Sequence, residues 1–531
     1  MIEDMSGEAE PLMAKMTKQS FIGGAMILLA AGVVTRILGF VPRIVLPRLI
    51  GAEGVGLYQL GYPFLIVLMT LITGGIPLAV AKWTAEAETA GDREGVRRVF
   101  RTALLLTLLL SLVFMAASLL LADWIVNHVL TDPRVYRTFL CMTPILPLAA
   151  VSSVIRGYYQ GKQNMMPTAV SQIAETVLRI VFVLLLARQL LPWGVEWAAA
   201  GAMLGVVAGE LGGFLVLAWQ YLSQRRRERE RKEAGKGAVR DPVLRKLLAL
   251  SVPVTGSRMV GSLSYLFESI LTARSLAAAG IVAAAATAQY GALQGMIIPV
   301  VLLPTALTSS LAVSLIPSLS EAAARGDREL IHKRLHQSLR LALVTGAPFA
   351  VVMFLFADPL CRLLYDQAEI APMLRLMAPA ALFIYLQAPL QAALQALDKP
   401  GTALANSFVG AVVKLLLIVY LASRPSLGIM GALVAINVNI VLVTVLHAVS
   451  VIRAVGYRLA VPDLLKVGAA MIIMGAASRF FMNREALSSE WLNLAFAVSA
   501  GAIVYLVLMV AAGVVDRHDA GRLPLIGRWF R

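Results

Sequence analysis

AEAETAGDREGVRRVFRTAL (Ala85–Leu104) and SEAAARGDRELIHKRLHQSL (Ser320–Leu339) are two versions of one stretch, and both contain the tetrapeptide GDRE, at Gly91 and again at Gly326. The offset that carries Gly91 onto Gly326 also aligns Gln59 with Gln294, Gln160 with Gln395 and Arg179 with Lys414. One constant shift over several segments marks an internal duplication. What each copy contains follows from the segments around these marks.

Those segments are strongly apolar. Of 531 residues, 59 % are hydrophobic and 15 % charged, and the mean hydropathy is positive. That composition excludes a soluble domain of this length and fits an integral membrane protein. A helix needs about 20 apolar residues to cross about 30 Å of hydrocarbon. Fourteen such segments follow one another, at 20–41, 55–81, 99–122, 138–158, 167–191, 196–222, 247–275, 288–316, 337–357, 371–397, 402–422, 428–452, 462–483 and 490–514. The expected fold class is therefore all-α, integral membrane, with fourteen transmembrane helices. Helices holding Pro144 and Pro147, Pro299 and Pro304, or Pro379 and Pro389 should be kinked. The run from Phe21 is too long for a signal-peptide core and no A-x-A-like site follows it, so it reads as a retained first span.

The shift between the copies covers six helices, an even number, so both enter the membrane in one direction. They form parallel repeats about an axis along the membrane normal, an arrangement used for alternating access to a central cavity. The chain then divides into a tail, 1–19; a first lobe of spans 1–6, 20–222; a basic linker, 223–246; a second lobe of spans 7–12, 247–452; and spans 13 and 14 with the C-terminal tail, 453–531.

The net charge of +16 is compatible with nucleic acid, anionic lipid or cytoplasmic loops, and the placement of the charges decides among them. With the N-terminus inside, and residues at the span ends counted with the adjoining loop, 32 of the 47 Lys and Arg fall on the inner side and 11 on the outer. This is the positive-inside pattern, with both termini cytoplasmic, and it leaves no role for nucleic acid. The largest cluster, QRRRERERKEAGKGAVRDPVLRK from Gln224, is the linker itself and reads as a solvated cytoplasmic segment with membrane lipid as its alternative contact. Cys141 and Cys361 show no disulfide or metal spacing. HKRLH at His332 lacks the glutamate of HExxH, and AGKGA near Gly235 lacks the first glycine and the Ser/Thr of a phosphate loop. No enzyme, metal or cofactor is implied.

The chemistry then rests on ionisable residues inside the spans: Arg36, Glu175, Arg179, Glu210, Arg258, Glu268 and Lys414. Facing lipid they are costly, so they should face a cavity or one another. Glu175 and Arg179 are spaced i, i+4 and can pair across one turn, as a structural ion pair or a coupling site. Arg258 and Glu268, ten residues apart, share a helix face only loosely. In VVTRILGFVPRIVLPRLIG (Val33–Gly51), Arg43 follows Arg36 at i+7 on the same face with no carboxylate in the helix. Arg36, Arg43 and Arg48 either line a cavity or snorkel to the interface, which suits Arg43 and Arg48 better than Arg36. Guanidinium groups in a low-dielectric cavity suit a phosphate or pyrophosphate, gripped through two parallel hydrogen bonds.

TRILGFVPRIVLPRLIGAEGVGLYQL, RGYYQGKQNMMPTAVSQIAE and SRMVGSLSYLFESILTARSLAAAGI resemble the stage V sporulation protein B branch of the polysaccharide exporters, in the multidrug/oligosaccharidyl-lipid/polysaccharide flippase superfamily. That family includes the lipid II flippases. The resemblance implies a cationic cavity built on the first span, to which Arg36, Gly39, Phe40 and Arg43 correspond, and a groove for a polyprenyl tail on spans 13 and 14. The lipid II flippases usually carry an acidic residue after the second arginine, where this chain has Ile44. They also carry an arginine in the eighth span, where this chain has Gln289 and Gln294. Arg258 and Arg274 are the candidates for the second lobe's positive charge.

The function this implies is flipping of an undecaprenyl-pyrophosphate-linked, lipid II-like cell-wall precursor across the cell membrane, for spore cortex peptidoglycan, with membrane lipids and cell-wall synthesis enzymes as neighbours. A cation-coupled multidrug exporter using Glu175, Glu210 or Glu268 is the rival transporter, and a non-transporting scaffold for wall synthesis is the rival of another class. The orientation is directly testable: single cysteines placed in the 224–246 linker and in both tails should react in intact cells only with membrane-permeant maleimides. Labelling of the linker by an impermeant reagent would reverse the topology.

Overall fold

The computed structural model describes residues 21–230, 243–457, 461–484 and 487–514. The N-terminal tail, the centre of the basic linker and the C-terminal tail lie outside the described residues. Among the described residues every regular element is helical. Twelve helical stretches are long and apolar enough to cross a membrane, the first of them, Met26–Thr89, being 64 residues long. The 36-residue helix Val243–Ala278, interrupted by Arg258 and Glu268, is not among the twelve. A count of fourteen therefore requires the first stretch to cross twice and this helix to cross once.

The chain folds into two compact units: residues up to Arg274 with Val282–Gly295, and Ser275–Ile281 with Met296 onward. In the first unit, α1 (Phe21–Leu38) and α2 (Phe40–Thr73) meet at Gly39. Gly39 keeps helical dihedrals, φ −64° and ψ −12°, and its amide donates to Thr35 O at 2.8 Å. The backbone thus runs as a nearly continuous helix to Ile50, beyond the boundary at 41 read from the sequence. The real break is Gly51, at φ 70° and ψ 177°, a conformation that disfavours any side chain.

Then follow α3 (Ile76–Thr89), α4 (Arg93–Leu120), α5 (Ala122–His128), α6 (Tyr136–Met142), α7 (Ile145–Gly161), α8 (Met166–Leu190), α9 (Val195–Glu230), α10 (Val243–Ala278) and α11 (Ala283–Gly291). Near Pro144 the chain breaks as expected, between α6 and α7. α8 and α9 close into a hairpin along Gly201, Gly205, Gly209 and Gly213, spaced by four and so on one face of α9. A Cβ on Gly205 would collide with the Val183 amide nitrogen, and one on Gly209 would stand 2.5 Å from Arg179 Cβ. Only glycine permits that approach.

The boundary between the units does not coincide with the linker, because α10 is tied into the first unit by polar contacts. The Gly75 amide donates to Thr255 Oγ1 at 3.0 Å, Thr70 and Ser262 share a hydroxyl hydrogen bond of 2.7 Å, and Trp83 Nε1 donates to Lys246 O at 3.3 Å.

The second unit contains α12 (Ile298–Leu302), α13 (Thr305–Ala324), α14 (Arg328–Leu355), α15 (Ala357–Tyr365), α16 (Ala371–Ala396), α17 (Pro400–Ala422), α18 (Ile429–Val455), α19 (Val461–Met482) and α20 (Glu490–Ala511). The break near Pro304 lies between α12 and α13, and the Tyr365 and Tyr385 hydroxyls donate to Met296 O and Val301 O, each at 3.0 Å. Pro379 and Pro389 stay within unbroken α16. α19 and α20 pack Val467, Met474, Tyr505 and Met509 against Val344 and Val351 of α14.

The backbone repeats its turns at the sequence offset. Asp92 and Asp327 cap α4 and α14, accepting from Gly95 N at 2.7 Å and Leu330 N at 2.9 Å. Positive φ recurs at Gly91 and Gly326, at Thr131 and Asp366, and at Gln163 and Asp398. All three pairs keep the spacing of the two GDRE motifs.

The glycine stripe has a measurable consequence. Gly205→Ala should lower the thermal midpoint of the detergent-purified protein, overpacking of this kind costing about 1–3 kcal/mol. An unchanged midpoint would mean that the hairpin does not need the close approach.

Candidate functional site

Arg36 lies near the middle of the continuous Phe21–Ile50 helix, and Arg43 follows two turns later, roughly 10 Å along the axis. Arg36, Arg43 and Arg48 are all exposed on the first unit. Arg43 is within electrostatic reach of Tyr58 on α2 and Tyr265 on α10, and Tyr62 is within reach of both tyrosines. Tyr58 and Tyr62, one turn apart, stack with ring centroids 6.4 Å apart. Two phenolic hydroxyls thus lie in electrostatic reach of the second arginine of the row, neutral groups that can donate to an anion without cancelling the guanidinium charge.

Arg258 and Arg274 are exposed as well, but each commits a guanidinium nitrogen to a backbone carbonyl. Arg258 Nη1 donates to Gly74 O at 2.6 Å and Arg274 Nη2 to His128 O at 2.5 Å. Sixteen residues of helix hold them roughly 24 Å apart, so one pyrophosphate cannot touch both. Nor do Arg258 and Glu268 pair: the buried Glu268 accepts from Gln294 Nε2 at 2.8 Å.

Glu175 and Arg179 do meet, Arg179 Nη2 donating to Glu175 Oε1 at 2.5 Å. A third member is absent from the sequence reading: Arg156 of α7 donates from Nη2 to Glu175 Oε2 at 2.8 Å. Glu210 of α9 lies in electrostatic reach of all three. Two carboxylates and two guanidiniums balance in this cluster when all four are ionised. Lys414, on α17 of the second unit, is buried.

A second network missed in the sequence joins Asp132 to Arg134, Thr287 and Glu53. Arg134 Nη2 reaches Asp132 Oδ2 at 2.8 Å and also pairs with Glu53, and Thr287 donates to Asp132 at 2.6 Å. Burial pushes the Asp132 carboxyl up, and the hydrogen bonds from Arg134 and Thr287 outweigh it, leaving it below the usual carboxylate range. Its stabilising contribution is present above the ordinary carboxylate pKa and is lost only as acid carries the pH through the lowered one. No group of His, Cys, Asp and Glu among the described residues is arranged to hold a metal ion.

A largely apolar helical chain with a row of guanidinium groups on one span and paired acids elsewhere has the features of a polytopic membrane transporter. A family model described as "Polysaccharide biosynthesis protein" matches residues 21–323, and a second, MatE, matches residues 262–420. Stage V sporulation protein B of Bacillus subtilis (strain 168) is 41 % identical over 516 residues, covering 97 % of this chain and 99 % of that protein. The lipid II flippase MurJ of the same organism is 24 % identical over 531 aligned positions, covering 94 % and 97 %. A solved structure of lipid II flippase MurJ in an inward closed conformation superimposes with a TM-score of 0.68 at 15 % identity, covering 91 % of this chain and 98 % of that one. The chain belongs to the polysaccharide biosynthesis protein family of the multidrug/oligosaccharidyl-lipid/polysaccharide flippase superfamily, in its stage V sporulation protein B branch. It is a multi-pass membrane protein of a transporter family, not an enzyme.

Glu175 separates a structural role from a coupling role. Removing it leaves Arg156 and Arg179 facing each other, and breaking a buried pair in this way costs about 3–5 kcal/mol. Glu175→Ala should therefore give little folded protein, with a sharply lowered thermal midpoint. A well-folded variant that has lost only ion-dependent activity would assign Glu175 to coupling instead.

Proposed function

We propose that this protein is a flippase that carries a polyprenyl-pyrophosphate-linked, lipid II-like cell-wall precursor from the inner to the outer leaflet of the plasma membrane, for spore cortex peptidoglycan. The single observation that carries the reading is the Arg36–Arg43 row, exposed on a nearly continuous helix with Tyr58 and Tyr265 in electrostatic reach of Arg43, while Glu175 and Glu268 are held by other partners. Such a surface attracts an anion and repels a drug cation. The names of the relatives, a lipid II flippase and a sporulation protein, support the substrate class and the setting.

In this reading fourteen spans form two six-helix parallel repeats, with spans 13 and 14 as a groove for the polyprenyl tail and both termini in the cytoplasm. The caps and left-handed turns that recur from one copy to the other support the repeat. Arg36 and Arg43 grip the pyrophosphate through paired hydrogen bonds, and the tyrosines donate to its remaining oxygens or to the glycan. Arg48 lies nearer the outer end of the helix, where a departing substrate passes. A pyrophosphate linker carries about two negative charges, and an inside-negative potential favours moving each outward by about 2.3 kcal/mol per 100 mV.

The MatE match over residues 262–420 keeps a cation-coupled exporter as the second reading, and one experiment separates the two. In proteoliposomes, Arg36→Ala should abolish arrival of lipid-linked precursor in the outer leaflet while leaving the amount of membrane-inserted protein near normal. Arg36→Lys should restore only part of the rate, since an ammonium keeps the charge and loses the planar grip. Arg43→Ala should be milder, its field being more screened nearer water. Full flipping by Arg36→Ala would end the case for a cationic substrate site on the first helix.

A further inference from the structure

The turn between α3 and α4, the end of α7 and the far part of α9 enclose a cavity of about 210 Å³ in the first unit. It lies away from the Arg36–Arg43 row, and nothing in the transport reading uses it. Arg93, Arg97, Arg101, Lys162 and Arg225 line it, with Glu88 as the one acid among the described lining residues. Five cations against one carboxylate around so small a volume leave a strong local excess of positive charge.

The wall is built rather than loose. Phe100 stacks on Tyr221 at 4.8 Å, and Tyr158 stands edge-on to both, at 5.3 and 5.6 Å. Lys162 holds its ammonium 4.9 Å from the Tyr158 ring. Arg93, Arg97 and Arg101 recur at i, i+4 and i+8, so they share one face of α4, where like charges repel one another. Helix formation does not ask for that pattern, whereas an anion seated among the guanidiniums would. The volume is below the ~300–1,000 Å³ of clefts that take drug-sized molecules, and suits a compact anionic group.

The second copy of the sequence is an internal control. At the same offset, Arg93 is matched by Arg328, but Arg97 and Arg101 become His332 and His336, Tyr158 becomes Ala393 and Lys162 becomes Leu397. There His332 Nε2 lies 2.7 Å from Val455 O, and His336 Nε2 lies 3.2 Å from Asp463. The equivalent stripe has been turned to holding its own unit together. The cavity's charge and aromatic wall belong to the first copy alone, so they are not a by-product of the repeated loop.

We propose that this cavity is a binding site for a phosphate-bearing anion with at least two negative charges, supplied by an anionic lipid headgroup or by a soluble diphosphate. Arginine at three successive turns offers planar, two-bond contacts to phosphate oxygens, and Lys162 adds a point charge. The site is separate from the transported substrate's, so its test does not use transport.

Two probes distinguish the sources. Inorganic pyrophosphate is titrated into the full-length protein in neutral detergent while the thermal midpoint is followed. In parallel, protein taken from nanodiscs of phosphatidylglycerol and cardiolipin is examined for retained lipid by native mass spectrometry. A saturable rise with pyrophosphate, weakened about tenfold in R97Q/R101Q, establishes the site with a soluble ligand. No response to pyrophosphate, with bound cardiolipin, the doubly charged lipid, lost about tenfold in R97Q/R101Q, establishes it with a headgroup. If that variant is poorly folded, K162M is read by the same criteria. The proposal is overturned if neither probe separates wild type from the cavity variants, or if R328Q, at the matching position outside the cavity, weakens binding as much.

Discussion

The carboxylate of Glu175, shared between Arg156 Nη2 at 2.8 Å and Arg179 Nη2 at 2.5 Å, sets the charge balance of the first unit. A buried carboxylate is tolerable only if paired and hydrogen-bonded, and this pairing needs α8 to lie close to both α7 and α9. The glycine stripe of α9 provides half of that. Gly209 faces Arg179 and Gly213 faces Glu175, with virtual Cβ distances of 2.5 and 2.8 Å, so the backbone of α9 lies directly against the two ionic side chains. Packing and electrostatics are one device here. With all four groups ionised the cluster is balanced, so it adds no net negative potential to oppose Arg36 and Arg43.

The second copy shows what the network is for by what it lacks. At the shared offset Glu175 is replaced by Gly410, Arg156 by Gln391 and Glu210 by Val445, and only Arg179 keeps a cationic counterpart, Lys414. Both acids and one base have gone together. The glycine at 410 now makes the close approach itself: a Cβ there would collide with Val443 Cγ2. The two copies therefore keep the same capped helices and left-handed turns and differ in chemistry, with the arginine row, the ion cluster and the basic cavity all in the first. Between the two copies read from the sequence, the chemistry differs at a small number of aligned positions.

What the sequence made legible was local chemistry. GDRE was legible as a repeated mark, and in the structure each copy is a turn in which glycine takes positive φ and aspartate caps the next helix. Glu175–Arg179 was legible as one turn of one helix. Arg156 was not, because its partner lies on another helix and RGYYQ looks like the polar end of a span. Arg258 and Glu268 share a face too loosely to settle each other, and tertiary neighbours, Gly74 and Gln294, took them instead. Hydropathy counts spans but cannot say which of them pack together. The hydroxyl contacts of Thr255 and Ser262 that hold α10 to the first unit leave no periodic trace. The first helix reaches Ile50 with only a local irregularity at Gly39, a residue free to break it that stays helical.

The same geometry bears on how transport is powered. A cation that used Glu175 would have to displace two guanidiniums at each turnover, and loss of a buried pair costs about 3–5 kcal/mol. One elementary charge crossing 100 mV supplies about 2.3 kcal/mol, less than the cost of opening the clamp. Glu268 is a weaker trap, since a neutral amide holds it, but it is buried and its hydrogen bond to Gln294 joins α10 to the turn after α11, so releasing it loosens a helix contact. A doubly charged anion needs neither carboxylate. On the proposed function it draws on the potential through its own charge, and Arg36 and Arg43 stay exposed while Glu175 and Glu268 remain held by their partners. Glu175 and Glu268 therefore act to hold helices together, and the proposed function leaves the substrate itself to carry the current.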